Sequence, residues 1–291
     1  MNIVLGTRKS KLALSQSNWV AGLLRAAGAH VRLKEIVTTG DVKLETKLAD
    51  IGGKGLFVKE IEEAMLAGEI DLAVHSMKDV PAGFPDGLQI IAIPQREDVR
   101  DVLVCTHAHS FASLAKGAVV GTSSPRRECL LREYYPHLKI VAMRGNVDTR
   151  LKKLEAGEVD ALVLAAAGLH RLNLTEKITA YLDPFEMIPA VGQGALALEA
   201  RQDDLELISF VHTCLHDEHT ALAVESERAV LRTVSGDCHT PLGVFSECDA
   251  EAITLHAFLG TEKGIVKKSA KAPLQEALQL GEKIGKQLLA G

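Results

Sequence analysis

Two short stretches combine residue types that could do chemistry. In "IDLAVHSMKDVP" (from Ile70) an apolar run ends in His75, Ser76, Lys78 and Asp79 before Pro81 stops it. That order sets one cation and one carboxylate at a strand terminus. The pair is either a salt bridge capping a turn or a functional couple, and spacing alone weighs the two about evenly. In a cationic pocket the Asp79 carboxylate stays ionised and can hold a positive charge forming on a substrate. In "VSGDCHTPLG" (from Val234) one thiol, Cys238, lies between Asp237 and His239 in a loop bounded by glycine and proline. A hydrolytic nucleophile would need a base partner, and the adjacent His239 shares its backbone and points elsewhere. An inert loop thiol and a covalent anchor are the readings that remain.

A further set of candidates is cationic. "GTSSPRRECLL" (from Gly121) has hydroxyl residues at helix-cap positions and Pro125 where a first turn tolerates it. The unpaired N–H groups of such a turn, with Thr122 and Ser124, form an anion site, and Arg126 and Arg127 sit inside it. "RGNVDTR" adds Arg144 and Arg150, and "GLHRL" adds Arg171 near the end of a buried strand. "GTRKS" adds Arg8 and Ser10 at the equivalent turn of the first half. Taken singly, each arginine reads as a solvated surface charge. Four clusters at strand–helix junctions of an acidic protein point instead to a pocket for a ligand with many carboxylates. Phosphate fits less well, since no G-x-x-x-x-G-K-[ST] loop occurs.

The elements that position these residues come in a repeat. "NIVLGTRKSKLALSQ" (from Asn2) and "AVVGTSSPRRECLLRE" (from Ala118) are each an apolar run, then Gly-Thr, then basic or hydroxyl residues, then a helical pattern. Further on, "AGEIDLAV" (from Ala67) matches "AGEVDALV" (from Ala156), each closing a helix and opening a buried strand. The first half is longer between these landmarks. Its extra length falls largely in the glycine-rich "TTGDVKLETKLADIGGKGLFVKE", which predicts a mobile loop over a site, with Lys54 and Lys59 as solvated lysines or further carboxylate contacts. Repeated strand–turn–helix–strand units predict two α/β domains with mostly parallel sheets and ligands at the carboxyl ends of their strands. From about residue 217 the pattern changes to a helix, three strand-like runs and a closing helix, a small α+β unit with Cys238 in its first loop.

Bulk properties narrow the class. At 291 residues the chain suffices for two or three domains, and its 47% hydrophobic and 24% charged residues are those of a folded protein. A net charge of −5 argues against a general nucleic-acid binder. No run approaches the ~20 apolar residues of a membrane span. Five widely spaced cysteines without a C-x-x-C pair predict neither a disulfide framework nor a zinc site. "MNIVLGTRKS" runs straight into an apolar strand without a basic leader, which predicts a cytoplasmic protein.

In their order these strings resemble the porphobilinogen deaminase family over nearly the whole chain, through "GTRKSKLAL", "GGKGLFVKE", "HSMKDVP", "GTSSPRR", "RGNVDTR", "PAVGQGAL" and the cysteine loop. The resemblance implies two periplasmic-binding-protein-like (type II) α/β domains plus a small C-terminal α+β domain. The corresponding boundaries are 1–95 with 194–214, 100–190, and 217–291. It implies a transferase, a hydroxymethylbilane synthase of tetrapyrrole (heme) biosynthesis. Such an enzyme condenses four porphobilinogen molecules head to tail on a covalent dipyrromethane cofactor, releases ammonia each time, and hydrolyses off the linear product. Cys238 would carry the cofactor by a thioether; the family usually has Gly before this cysteine, where this chain has Asp237. Asp79 would be the catalytic carboxylate. Lys78, Thr122, Ser124, Arg126, Arg127 and Arg150 would bind cofactor carboxylates. Arg8, Ser10, Arg144 and Arg171 would hold porphobilinogen or the growing chain, with Phe57 stacking on a ring and Gln193 lining the cleft. A monomer without metal, nucleic acid or membrane partner is expected. The competing readings are a non-catalytic carboxylate-binding solute-binding protein, which calls for an export signal, and a regulator's effector domain, which calls for a helix-turn-helix.

Overall fold

A computed structural model describes residues 1–38, 58–83, 85–237 and 239–291. Phe57, Lys54, most of the glycine-rich stretch and Cys238 itself lie outside the described residues. The chain divides into two compact units, Met1–Arg96 with Ala195–Ala221 and Glu97–Gly194 with Leu222–Gly291.

The first unit is built on one five-stranded sheet. Its strands are β1 (Asn2–Arg8), β2 (His30–Ile36), β3 (Leu72–Ser76), β4 (Leu88–Ala92) and β10 (Leu196–Arg201), in the order β2-β1-β3-β10-β4. β1 runs parallel to β2 and β3, whereas β10 is antiparallel to both its neighbours. Helix α1 (Lys11–Ala26) follows β1 and buries Val20, Ala21 and Leu24 on one face, the period expected of a core-facing helix. Its start is fixed by Ser10, whose side chain accepts the Ala13 N–H. Helix α2 (Lys59–Leu66) buries Ile61, Ala64 and Met65 in a cluster with Ala73 and Leu88. Helix α6 (Leu205–Leu215) joins the core formed by α1 and the sheet.

The second unit repeats this plan. Its strands β5 (Asp101–Cys105), β6 (Val119–Gly121), β7 (Lys139–Val141), β8 (Ala161–Ala165) and β9 (Ala180–Tyr181) lie in the order β7-β6-β8-β5-β9. β6 is parallel to β7 and β8, and β5 is the reversed strand. Helices α3 (Pro125–Tyr134), α4 (Val147–Glu155) and α5 (Ala166–Arg171) connect them. The repeat extends to single hydrogen bonds. Asp71 accepts the Val4 N–H at 2.8 Å and donates its own N–H back to Val4 O; Asp160 does the same with Val119 at 2.7 and 2.8 Å. Two mostly parallel sheets of one topology, each with one reversed strand, are thus the pair of α/β units expected from the sequence.

The small α+β part follows. Helix α7 (Glu218–Thr233) leads to an antiparallel sheet of β11 (Leu242–Cys248), β12 (Ala252–Thr261) and β13 (Gly264–Pro273), closed by α8 (Ala277–Leu289). Val230, Val244, Ile253, Leu255, Leu280 and Ile284 form its core. α8 packs closely on α7 because Gly281 and Gly285 face it: a Cβ at these positions would collide with Ser226 O and the Thr233 side chain.

Two local details differ from the sequence reading. Lys78 and Asp79 are not on the strand but on a single 3-10 turn, Met77–Asp79, after β3 has ended at Ser76. The Met77 N–H donates to Ala195 O at 3.0 Å and the Val80 N–H to Met77 O at 3.1 Å, which turns the chain before Pro81. Arg171 ends the short helix α5 rather than a strand, because the alanine-rich run after Ala165 turns helical at once.

Candidate functional site

In the first unit the strand–helix junction and the turn after β3 hold four of the expected residues. Arg8 closes β1, half-buried, and Ser10 caps α1. Lys78 and Asp79 are exposed on their turn. The strand residues that lead into that turn are held through polar side chains. Gln16, buried on α1, donates from Nε2 to Ser76 Oγ at 2.9 Å. His75 Nε2 lies 2.9 Å from Glu199 Oε2, both side chains being out of water. Burial pushes the Glu62 carboxyl up from its ordinary value, and the Glu199 charge acts in the same direction. Glu199 is a contact that periodicity could not reveal; its only signal is a carboxylate inside the apolar run "LALEA".

In the second unit Ser124 caps α3, accepting the Arg127 N–H, and Pro125 occupies the first helical position. Thr122 is buried and its Oγ1 accepts the Ser124 N–H at 3.2 Å. Arg126 and Arg127 do not extend into solvent; they are 3% and 6% exposed. Both meet Asp101, which is fully buried at the start of β5: Arg126 Nη2 lies 2.8 Å from Oδ2 and Arg127 Nη2 2.7 Å from Oδ1. Their remaining arms donate to Ile188 O and Val163 O. Gln193, also buried, donates from Nε2 to Asp101 Oδ1 at 2.9 Å and to Val99 O at 2.8 Å. Burial is the largest influence on Asp101 and pushes its carboxyl up. The two guanidinium charges and the hydrogen bonds from Arg127 and Gln193 overcome it, leaving the group well below the usual carboxylate range.

The other arginines sit nearby in the chain. Arg144 is half-buried before α4, and Arg150, on α4, donates from Nε to Gly145 O at 2.8 Å. Arg171 Nη2 donates to Gly194 O at 2.7 Å, and burial lowers its guanidinium to about 10 against the opposing charge of Glu97. The loop around Cys238 is shaped by its neighbour Asp237. Oδ1 of Asp237 accepts the His239 N–H at 2.9 Å and both the N–H and the hydroxyl of Thr240 at 3.1 Å. Asp237 thus spends its carboxylate on the loop backbone.

Cationic residues stand at a strand–helix junction of each of two sheets with one topology, an α/β arrangement that suits anionic ligands at its strand ends. Comparison with known proteins agrees. Residues 3–209 match the family described as porphobilinogen deaminase, dipyromethane cofactor binding domain, and residues 221–290 match the porphobilinogen deaminase C-terminal domain. A porphobilinogen deaminase of Syntrophobacter fumaroxidans is 46% identical over 291 residues, covering 99% of this chain and 94% of the relative. One of Geotalea uraniireducens is 48% identical, covering 98% and 90%. One of an Exiguobacterium species is 44% identical, covering 99% and 95%. The chain belongs to the porphobilinogen deaminase family. It is accordingly a transferase, a hydroxymethylbilane synthase of tetrapyrrole biosynthesis with a dipyrromethane cofactor, and the solute-binding reading is not favoured.

The second unit fits a carboxylate-bearing group of this kind. One carboxylate set against two guanidiniums leaves the Asp101 cluster with a net positive charge at a helix N-terminus. The Nε–H groups of Arg126 and Arg127 are buried without an acceptor among the described residues.

Proposed function

We propose that Asp79 is the catalytic carboxylate of this synthase and that Cys238 anchors its primer. The observation that carries the first assignment is the turn itself. Asp79 is exposed on a hydrogen-bonded turn directly after a buried strand, whose last residues His75 and Ser76 are held by Glu199 and Gln16. The turn fixes the backbone of Asp79 and leaves its carboxylate open to a ligand.

When porphobilinogen loses ammonia, the C–N bond breaks, the electron pair leaves with nitrogen, and the pyrrole ring becomes cationic. The Asp79 carboxylate accepts the ring N–H and interacts far more strongly with the cation than with the neutral ring, which lowers the barrier. Lys78, Thr122, Ser124 and Arg150 hold carboxylates of the dipyrromethane, and Arg126 and Arg127 contribute the positive potential of their buried cluster. Bound dipyrromethane supplies the pyrrole carbon to which the first porphobilinogen is joined. Arg8, Ser10, Arg144 and Arg171 hold the side-chain carboxylates of porphobilinogen and of the growing chain. Gln193 lines the site through Asp101, and Phe57 stacks on a ring.

The three sheets support a division into domains 1–95 with 194–214, 100–190 and 217–291. The reading includes a cytoplasmic monomer with neither nucleic acid nor membrane as partner. The net charge of −5 argues against a nucleic-acid partner, and among the described residues no helix is long and apolar enough to cross a membrane. The assignment of Asp79 is tested by porphobilinogen consumption in Asp79→Asn protein whose pyrrole content has been weighed by mass.

A further inference from the structure

A buried carboxylate that the reaction does not use joins the flanks of the cysteine loop to the arginine cluster. Glu227, on α7, is 0% exposed. Its Oε1 accepts both the N–H of Ser246, at 3.0 Å, and the Ser246 hydroxyl, at 2.9 Å. Its Oε2 accepts the N–H of Gly192 at 2.8 Å. Ser246 is on β11, so Glu227 grips the elements on either side of the loop 234–241 that contains Cys238. The residue after Gly192 is Gln193, whose side chain donates to Asp101, and Asp101 is the carboxylate shared by Arg126 and Arg127. One unbroken polar chain therefore runs from the walls of the cysteine loop to the guanidiniums.

Burying a carboxylate is expensive unless donors surround it, and an apolar side chain would fill the same volume at lower cost. What the carboxylate adds is direction: two oxygens, each aimed at a different segment. We propose that Glu227 is a positioning residue, fixing the flanks of the cysteine loop against the Gly192–Gln193 turn and so the register of the primer's anchor relative to the Asp101–arginine cluster. This rests on the reading that Cys238 carries the primer. Chemistry on a tethered chain makes that register matter, because a misplacement of about 1 Å can cost on the order of a hundredfold in rate.

The test uses Glu227→Gln. The amide keeps one acceptor but turns its other arm into a donor facing a donor. In the holoenzyme, kcat per pyrrole-loaded molecule should fall about tenfold or more while KM for porphobilinogen stays within about twofold. A folded variant that loads no pyrrole at all is the stronger form of the same result. If Glu227→Gln melts earlier but its loaded molecules turn over at the parental rate, the residue only stabilises and the proposal is overturned. Should Glu227→Gln fail to fold, Ser246 decides. Ser246→Ala, which keeps the backbone donor and loses the hydroxyl, should lower kcat, and Ser246→Thr should recover it. Parental rates in both would also overturn the proposal. Failure of the underlying reading is separate and shows in the parent protein, as pyrrole mass missing from the peptide that holds Cys238.

Discussion

Oδ1 of Asp101 lies 2.7 Å from Nη2 of Arg127, with both groups removed from water. Arg127→Leu therefore does more than delete a ligand contact, since it takes from a buried carboxylate one of its two cations. Breaking such a pair costs about 3–5 kcal/mol, and Arg126→Leu should cost a similar amount. Both proteins should unfold at lower denaturant concentration and be isolated without covalent pyrrole. Parental stability with a full pyrrole load would mean that the cluster serves neither purpose.

The same pair sets an acid dependence. The folded-state pKa of Asp101 lies below its ordinary value, despite burial, through Arg126, Arg127 and Gln193. A group with a depressed folded pKa stabilises the protein above its unfolded value of about 3.9 and loses that contribution as pH falls. The urea midpoint should drop progressively from about pH 5 downward. In Arg127→Leu the acid loss should be smaller, because the Asp101 pKa moves back toward its unfolded value. An unchanged pH profile in that variant would contradict the assignment.

Cys238→Ser should give a folded protein with no pyrrole and no turnover. Peptide mass mapping of the parent checks the same point. A pyrrole adduct on Cys105, Cys129, Cys214 or Cys248 would contradict the anchor.

Arg144→Leu should keep its pyrrole, since Arg144 is assigned to the substrate side, yet stall at a short chain. Intact mass after a brief exposure to porphobilinogen would show shortened adducts accumulating. Normal elongation would return Arg144 to the surface charges.

What the sequence made legible was local. The Gly-Thr junctions, the helix caps at Ser10 and Ser124, and the matched "AGEIDLAV" and "AGEVDALV" strands all report neighbouring residues, and all reappear in the two sheets. Lys78 and Asp79 leave the strand because the Val80 N–H turns back to Met77 O, a single local bond that neither apolar periodicity nor residue spacing marks. His75 and Glu199 are 124 positions apart, and Arg127 and Asp101 are 26 apart. Such pairs leave no periodic trace. Arginines that read as ligand contacts by residue type are enclosed for the same reason, their partner being a strand away rather than a turn away.

The central claim is that a carboxylate at position 79 supplies charge to a ring that becomes cationic. The most direct measurement is steady-state porphobilinogen consumption by Asp79→Asn holo-protein, with covalent pyrrole verified by mass, beside the parent and Asp79→Glu. The amide keeps the shape and a hydrogen-bond acceptor but lacks the charge. Turnover should fall on the order of a hundredfold or more, with fold and pyrrole content intact, and Asp79→Glu should retain more. Turnover of Asp79→Asn within a few-fold of the parent would contradict the account and leave Asp79 as a structural residue of its turn.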